Sequence, residues 1–147
     1  MRYSFAIIIL AVVFFGCKKD KFTTAPQISF KYVKPDKYVR GNTDSVTIPH
    51  CTISVTDLEG DLGFIYNQDT SYIYIKNLEN SLLDSVILPN IASITSKKFE
   101  ADIVVFMKPY FPSLPSVKDT FYYEFYVKDF AKNKSNTVKS DPIYYFP

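Results

Sequence analysis

Thr120-Phe121-Tyr122-Tyr123-Glu124-Phe125-Tyr126-Val127-Lys128 is the stretch on which the fold turns. Phe121, Tyr123, Phe125 and Val127 alternate with Tyr122, Glu124, Tyr126 and Lys128. Successive side chains of a strand point to opposite faces, so this period of two sets one apolar face against a core and turns the other toward water. A helix would scatter the same aromatics around its circumference. The four residues of the first face are therefore expected in the core, with Ile53 and Val55 from an earlier stretch.

The rest of the chain reads the same way. Twelve Tyr and thirteen Phe stand beside nine Pro and only four Gly, a composition that favours pleated, half-buried surfaces over helices. Ile28 to Val33 reads as a first strand, and Asp36 to Asp44 as a polar connection around Gly41-Asn42. From Ser45 to Thr56 the apolar positions begin as Val46 and Ile48 and then change phase to Cys51, Ile53 and Val55. One extra residue shifts an alternation by one, and proline cannot donate to a ladder, so a single strand with a bulge at Pro49-His50 is predicted. Further strands are expected at Ser71 to Asn77, Ser85 to Leu88, Phe99 to Lys108 and Thr120 to Lys128, with one or two more between Asn136 and Phe146. About seven short strands separated by turns predict an all-β, immunoglobulin/fibronectin III-like antiparallel β-sandwich over residues 27–147. Leu78, Leu82, Leu83, Val86 and Ile87 also match helical spacing, which leaves a short helix before Pro89 as an alternative.

The N-terminus follows a different logic. Arg2 precedes an unbroken apolar run from Phe5 to Phe15, which ends at Gly16-Cys17 and meets Lys18-Lys19-Asp20. A membrane-spanning helix needs ~20 apolar residues, so the run has the length of a removable signal helix. Phe14-Phe15-Gly16-Cys17 resembles the lipobox of bacterial lipoproteins, with phenylalanines in place of the usual Leu and small residue, as in the looser lipoboxes of Bacteroidota. That resemblance implies a signal peptide over 1–16 and a diacylglycerol/acyl lipid on Cys17. It also implies a lipidated flexible tether over 17–26 and a cell-envelope location at the outer membrane, with the membrane as partner through the lipid anchor.

Charge and cysteine usage narrow the function. Seventeen basic residues face fifteen acidic ones and are scattered among them, so the chain offers no basic stripe for nucleic acid. A thioether at Cys17 leaves Cys51 without a disulfide partner, and a small buried hydrophobe is expected there. His50 is the only histidine, and its neighbour Cys51 should point to the opposite strand face. With no Gly-x-Ser-x-Gly elbow, phosphate loop or His-Glu-x-x-His motif in the sequence, a non-enzyme is expected.

Two short motifs add to this. Val127-Lys128-Asp129-Phe130-Ala131-Lys132-Asn133-Lys134-Ser135-Asn136 resembles a turn near the end of bacterial immunoglobulin-like domains, with Lys132 where glycine is usual. Val55-Thr56-Asp57-Leu58-Glu59-Gly60-Asp61-Leu62-Gly63 resembles an acidic stretch of small Bacteroidota outer-membrane lipoproteins with an immunoglobulin-like domain, with Glu59 in place of Asp. The resemblance marks fold and location rather than an activity.

Three sets of side chains are candidates for binding. Asp57, Glu59 and Asp61 alternate around Gly60, and in a sandwich Asp129 would lie at the same end, so the four carboxylates are candidate ligands for Ca²⁺. The competing reading is a solvated turn with the acids facing water. Tyr110, Phe111 and Leu114, in a Pro-rich connection, are candidates for contact with a protein or glycan partner, or else cover one end of the core. Tyr122 and Tyr126, on the outward face, pose the same choice. The functional expectation is a lipid-anchored envelope module that binds such a partner without catalysis. The alternative is a calcium-stabilised spacer without its own ligand.

Overall fold

The computed structural model of the chain describes residues 20–64, 70–89, 97–112 and 116–147. The signal segment, Cys17 and Leu114 lie outside the described residues. Among the described residues ten strands form: β1 (Gln27–Lys34), β2 (Lys37–Val39), β3 (His50–Asp57), β4 (Tyr72–Asn77), β5 (Leu83–Ile87), β6 (Phe99–Phe106), β7 (Asp119–Phe121), β8 (Tyr123–Lys128), β9 (Val138–Lys139) and β10 (Ile143–Phe146). Two 3₁₀ turns, Ser45–Thr47 and Lys108–Tyr110, are the only helical elements among the described residues, and no helix there is long and apolar enough to cross a membrane.

The strands assemble as one sheet ordered β1-β3-β6, a second ordered β5-β4-β8-β9 and a third ordered β2-β10-β7. Pairing is antiparallel except between β10 and β2. Cys51, Ile53 and Val55 of β3 share one core with Ile73 and Ile75 of β4 and with Tyr123, Phe125 and Val127 of β8. Phe30 of β1 stacks on Phe125 of β8 with ring centroids 6.3 Å apart, which joins the two larger sheets across the interior. The class is all-β and layered rather than a closed barrel.

The deciding stretch buries the face expected of it: Phe121, Tyr123, Phe125 and Val127 are each at most 1% exposed. It is nonetheless two strands. β7 pairs with β10, whereas β8 pairs with β4 and β9, and the change of partner falls at Tyr122. Buried N–H groups there must still find acceptors. Ser140 Oγ accepts from Tyr123 N at 3.0 Å while Ser140 N donates to Tyr123 O at 2.8 Å. Ser135 repeats the device four residues on, with Oγ accepting from Val127 N at 2.9 Å and N donating to Val127 O at 3.0 Å.

Three expectations need correction. Ser45 to Thr47 is a 3₁₀ turn, because Asp44 Oδ1 caps Val46 N at 3.0 Å; the strand begins only at His50, after Pro49. Val46 is consequently 78% exposed rather than half of an alternation. The register irregularity lies instead in β1, between Phe30 and Tyr32. Second, the connection from Asp36 to Asp44 contains β2, whose Tyr38 is buried against Tyr145 of β10. The strand expected at Ser85 to Leu88 does form, as an exposed edge strand over Leu83–Ile87, and the helical alternative is not taken. Finally, β6 ends at Phe106, ahead of the turn at Lys108–Tyr110.

The segment expected as a tether meets the domain early. Thr56 Oγ1 donates to Lys21 O at 2.7 Å, Leu58 N donates to Thr23 O at 3.2 Å, and Pro26 is buried. From Lys21 onward the chain runs along the end of β3.

Candidate metal centre

β3 ends in Asp57, and the loop that follows turns at once. Gly60 adopts φ +70°, a conformation open to glycine, and its N–H donates to Asp57 Oδ2 at 2.6 Å. This tight turn brings Asp57, Glu59 and Asp61 together, with one carboxylate oxygen of each lying within 4.8 Å of the other two. Asp57 is fully buried, Asp61 half-buried and Glu59 exposed. Asp57 Oδ1 and Asp61 Oδ1 are both buried without a hydrogen-bond partner. Burial, followed by the adjoining Asp61 carboxyl, raises the pKa of Asp57 against the opposing pull of the Gly60 N–H.

Asp129, expected as a fourth ligand, comes to the same end of the fold but turns to its own loop. Its two oxygens accept from Asn133 N at 2.7 Å and Asn133 Nδ2 at 2.9 Å. Lys132 takes φ +68°, the conformation for which glycine is usual, and thereby folds Asn133 back over Asp129. Burial raises the Asp129 pKa, the Asn133 bonds oppose this, and the charges of Asp61 and Glu59 add to the rise. The loops are joined through the backbone, because Phe130 N donates to Asp61 O at 3.1 Å. The structure thus gathers three of the four expected carboxylates and seats the fourth beside them.

Tyr110 and Phe111 lie at the opposite end of the strands. Both are half-buried and pack against the core, with Phe111 stacked on Tyr38 at 4.6 Å and Tyr123 OH donating to Tyr110 O at 3.1 Å. They cap the core there. Beside them is a shallow cleft of about 100 Å³ whose rim includes Asn77, Asn80, Leu82, Asp84 and Tyr110. Tyr126 stacks on Tyr74 at 4.5 Å, a cross-strand pair on the outward face, with Lys134 Nζ 4.1 Å from the Tyr126 ring. Tyr122 carries Lys139 Nζ at 4.3 Å from its ring. His50 packs edge-on to Phe106 at 4.9 Å, while Cys51 is fully buried and burial pushes its thiol up to about 12, so the two side chains do not form a dyad.

Sequence reading missed the polar residues that hold this framework. Asn136 Oδ1 accepts from Ile28 N and its Nδ2 donates to Ile28 O, both at 2.8 Å, so one side-chain amide stands in for a neighbouring strand at the edge of β1. The nearest signal was the Ser135-Asn136 end of the Val127 to Asn136 motif. No family model, curated protein or solved structure matches this chain.

Proposed function

We propose that this chain is a lipid-anchored cell-envelope protein, held at the outer membrane through an acylated Cys17. Its β domain is an immunoglobulin/fibronectin III-like sandwich and serves as a non-catalytic binding or accessory module for a protein or glycan partner. The order of Arg2, apolar run, Gly16-Cys17 and polar residues supports the anchor. The strand orders support the fold type. Joining β1 with β2, β7 with β8 and β9 with β10 as interrupted strands leaves seven, arranged 1-2-5 and 4-3-6-7.

The docking of Lys21 and Thr23 on the end of β3 is the observation that carries the reading. Three residues separate Cys17 from Lys21, and the four Cα steps reach at most ~14 Å in an extended chain. An acylated Cys17 therefore keeps the domain close to the bilayer, with the Asp57 to Asp61 end toward the lipid and the Tyr110 end away from it. The cleft beside Tyr110, with Leu82 67% exposed on its rim, is then the surface offered to an envelope partner.

Intact mass of the cellular protein and site-specific photocrosslinking test this. The mature chain should begin at an acylated Cys17, and Cys17→Ser should abolish the added mass. A crosslinker at Leu82 should capture one reproducible partner that a crosslinker at Glu59 does not. An unacylated mature protein removes the anchor, and equal capture at both positions removes the distal surface.

A further inference from the structure

We propose that Asp57, Glu59 and Asp61 form a calcium site that clasps the loop after β3 to the turn after β8. The inference stands independently of the envelope reading. Three acids near one another are common on protein surfaces and would show nothing alone. Here the decisive atoms are Asp57 Oδ1, on a side chain 0% exposed, and Asp61 Oδ1, both buried with no donor. Buried polar atoms in native proteins nearly always have a partner, and two neighbouring carboxyls whose buried oxygens meet no donor require a proton or a cation to satisfy them. No cationic side chain among the described residues does so. The ion pairs there are Lys21 with Glu100 and Lys31 with Asp102, and the nearby Lys132 Nζ donates to Thr70 O at 3.2 Å.

A hard divalent cation answers each requirement. The donors are all oxygen, the set preferred by calcium over softer metals. Three oxygens within 4.8 Å of one another can share one ion whose oxygens sit at ~2.3–2.6 Å. Magnesium demands near-ideal octahedral geometry at ~2.0–2.1 Å and keeps several waters, which suits a protein carboxylate cluster less well than calcium's flexible coordination. Exposed Glu59 leaves one side open to water, which completes six to eight ligands. Asp57 closes β3, and the backbone carbonyl of Asp61 accepts from Phe130 N at 3.1 Å and Ser71 Oγ at 3.4 Å, so an ion here ties β3, the approach to β4 and the turn after β8 together.

Thermal unfolding of the full chain in non-ionic detergent, in chelator, 1 mM CaCl₂ or 1 mM MgCl₂, tests the assignment at neutral pH. Calcium should raise Tm by about 5 °C or more, as a ligand well above its Kd does for a domain of this size, and equilibrium dialysis should find one ion per chain. Asp57→Asn with Asp61→Asn should lose both effects. Should that variant fail to fold, Glu59→Gln decides: its side chain is exposed, so the fold should survive while calcium affinity drops about tenfold or more. No rise in Tm with calcium would overturn the proposal and leave a shared proton between the carboxyls. An unchanged affinity in Glu59→Gln would also overturn it, and an equal rise with magnesium would overturn the choice of calcium.

Discussion

At Cys51 the side chain is fully enclosed between the two larger sheets, and burial, with a smaller contribution from Asp141, pushes the thiol up to about 12. An unfolded chain releases that proton near pH ~8.5. The native state therefore holds it more tightly, and this group draws stability from the fold as pH rises above about 9. At pH 8.5, iodoacetamide should leave native Cys51 unmodified and alkylate it only as fast as the chain opens. Rapid native-state alkylation would place the thiol outside the core. Burial at Cys51 was legible in the sequence, because its apolar phase with Ile53 and Val55 needs no knowledge of distant residues. The state of Asp57 was not. Spacing brings Asp57, Glu59 and Asp61 together, but the orphaned Oδ1 atoms result from tertiary neighbours that offer no donor. The outcome at Asp129 likewise depended on Lys132 taking a positive φ and folding Asn133 onto it.

Among the elements, β7 and β8 show what periodicity can and cannot convey. Alternation set the inward face from Phe121 to Val127, but it carries no information about partners, so the exchange of β10 for β4 and β9 at Tyr122 left no trace in the pattern. β2 escaped notice for a related reason: Tyr38 is buried by a parallel pairing with Tyr145, more than a hundred residues away. The same non-local logic makes Asn136 the test of how β1 is held. Its amide closes a two-way bond to Ile28 at the sheet edge, so Asn136→Ala leaves a backbone donor and acceptor without partners. A loss of about 1–2 kcal/mol is expected in urea unfolding, with Asn136→Asp no better, since a carboxylate cannot donate to Ile28 O. If the Asn136→Ala midpoint matches wild type, the amide contributes nothing net and β1 is held by Phe30 and its ladder to β3 alone.

For the whole molecule, the end nearest the N-terminus is where three chain segments meet. Lys21 to Pro26 lies along the close of β3, Lys98 N donates to Leu58 O at 2.9 Å from the start of β6, and Phe130 N reaches Asp61 from the turn after β8. Leu58, between Asp57 and Glu59, is thus fixed from both sides: its N–H by Thr23 and its carbonyl by Lys98. The residues before β1 consequently act as part of the domain. A chain starting at Gln27 would lose the Thr23 acceptor and leave the buried Thr56 hydroxyl without Lys21 O. A chain starting at Asp20 keeps both. Two hydrogen bonds of ordinary net worth amount to about 1–3 kcal/mol, and the orphaned Thr56 hydroxyl adds to that. Urea unfolding of the two chains, compared at equal slope, reads this difference directly. Loosening Leu58 should also slacken the carboxylates on either side of it, so the shorter chain should bind calcium more weakly in the same dialysis. Identical midpoints for the two chains would mean that Lys21 to Pro26 rests on the domain without stabilising it, and the short leash inferred from that contact would fail with it.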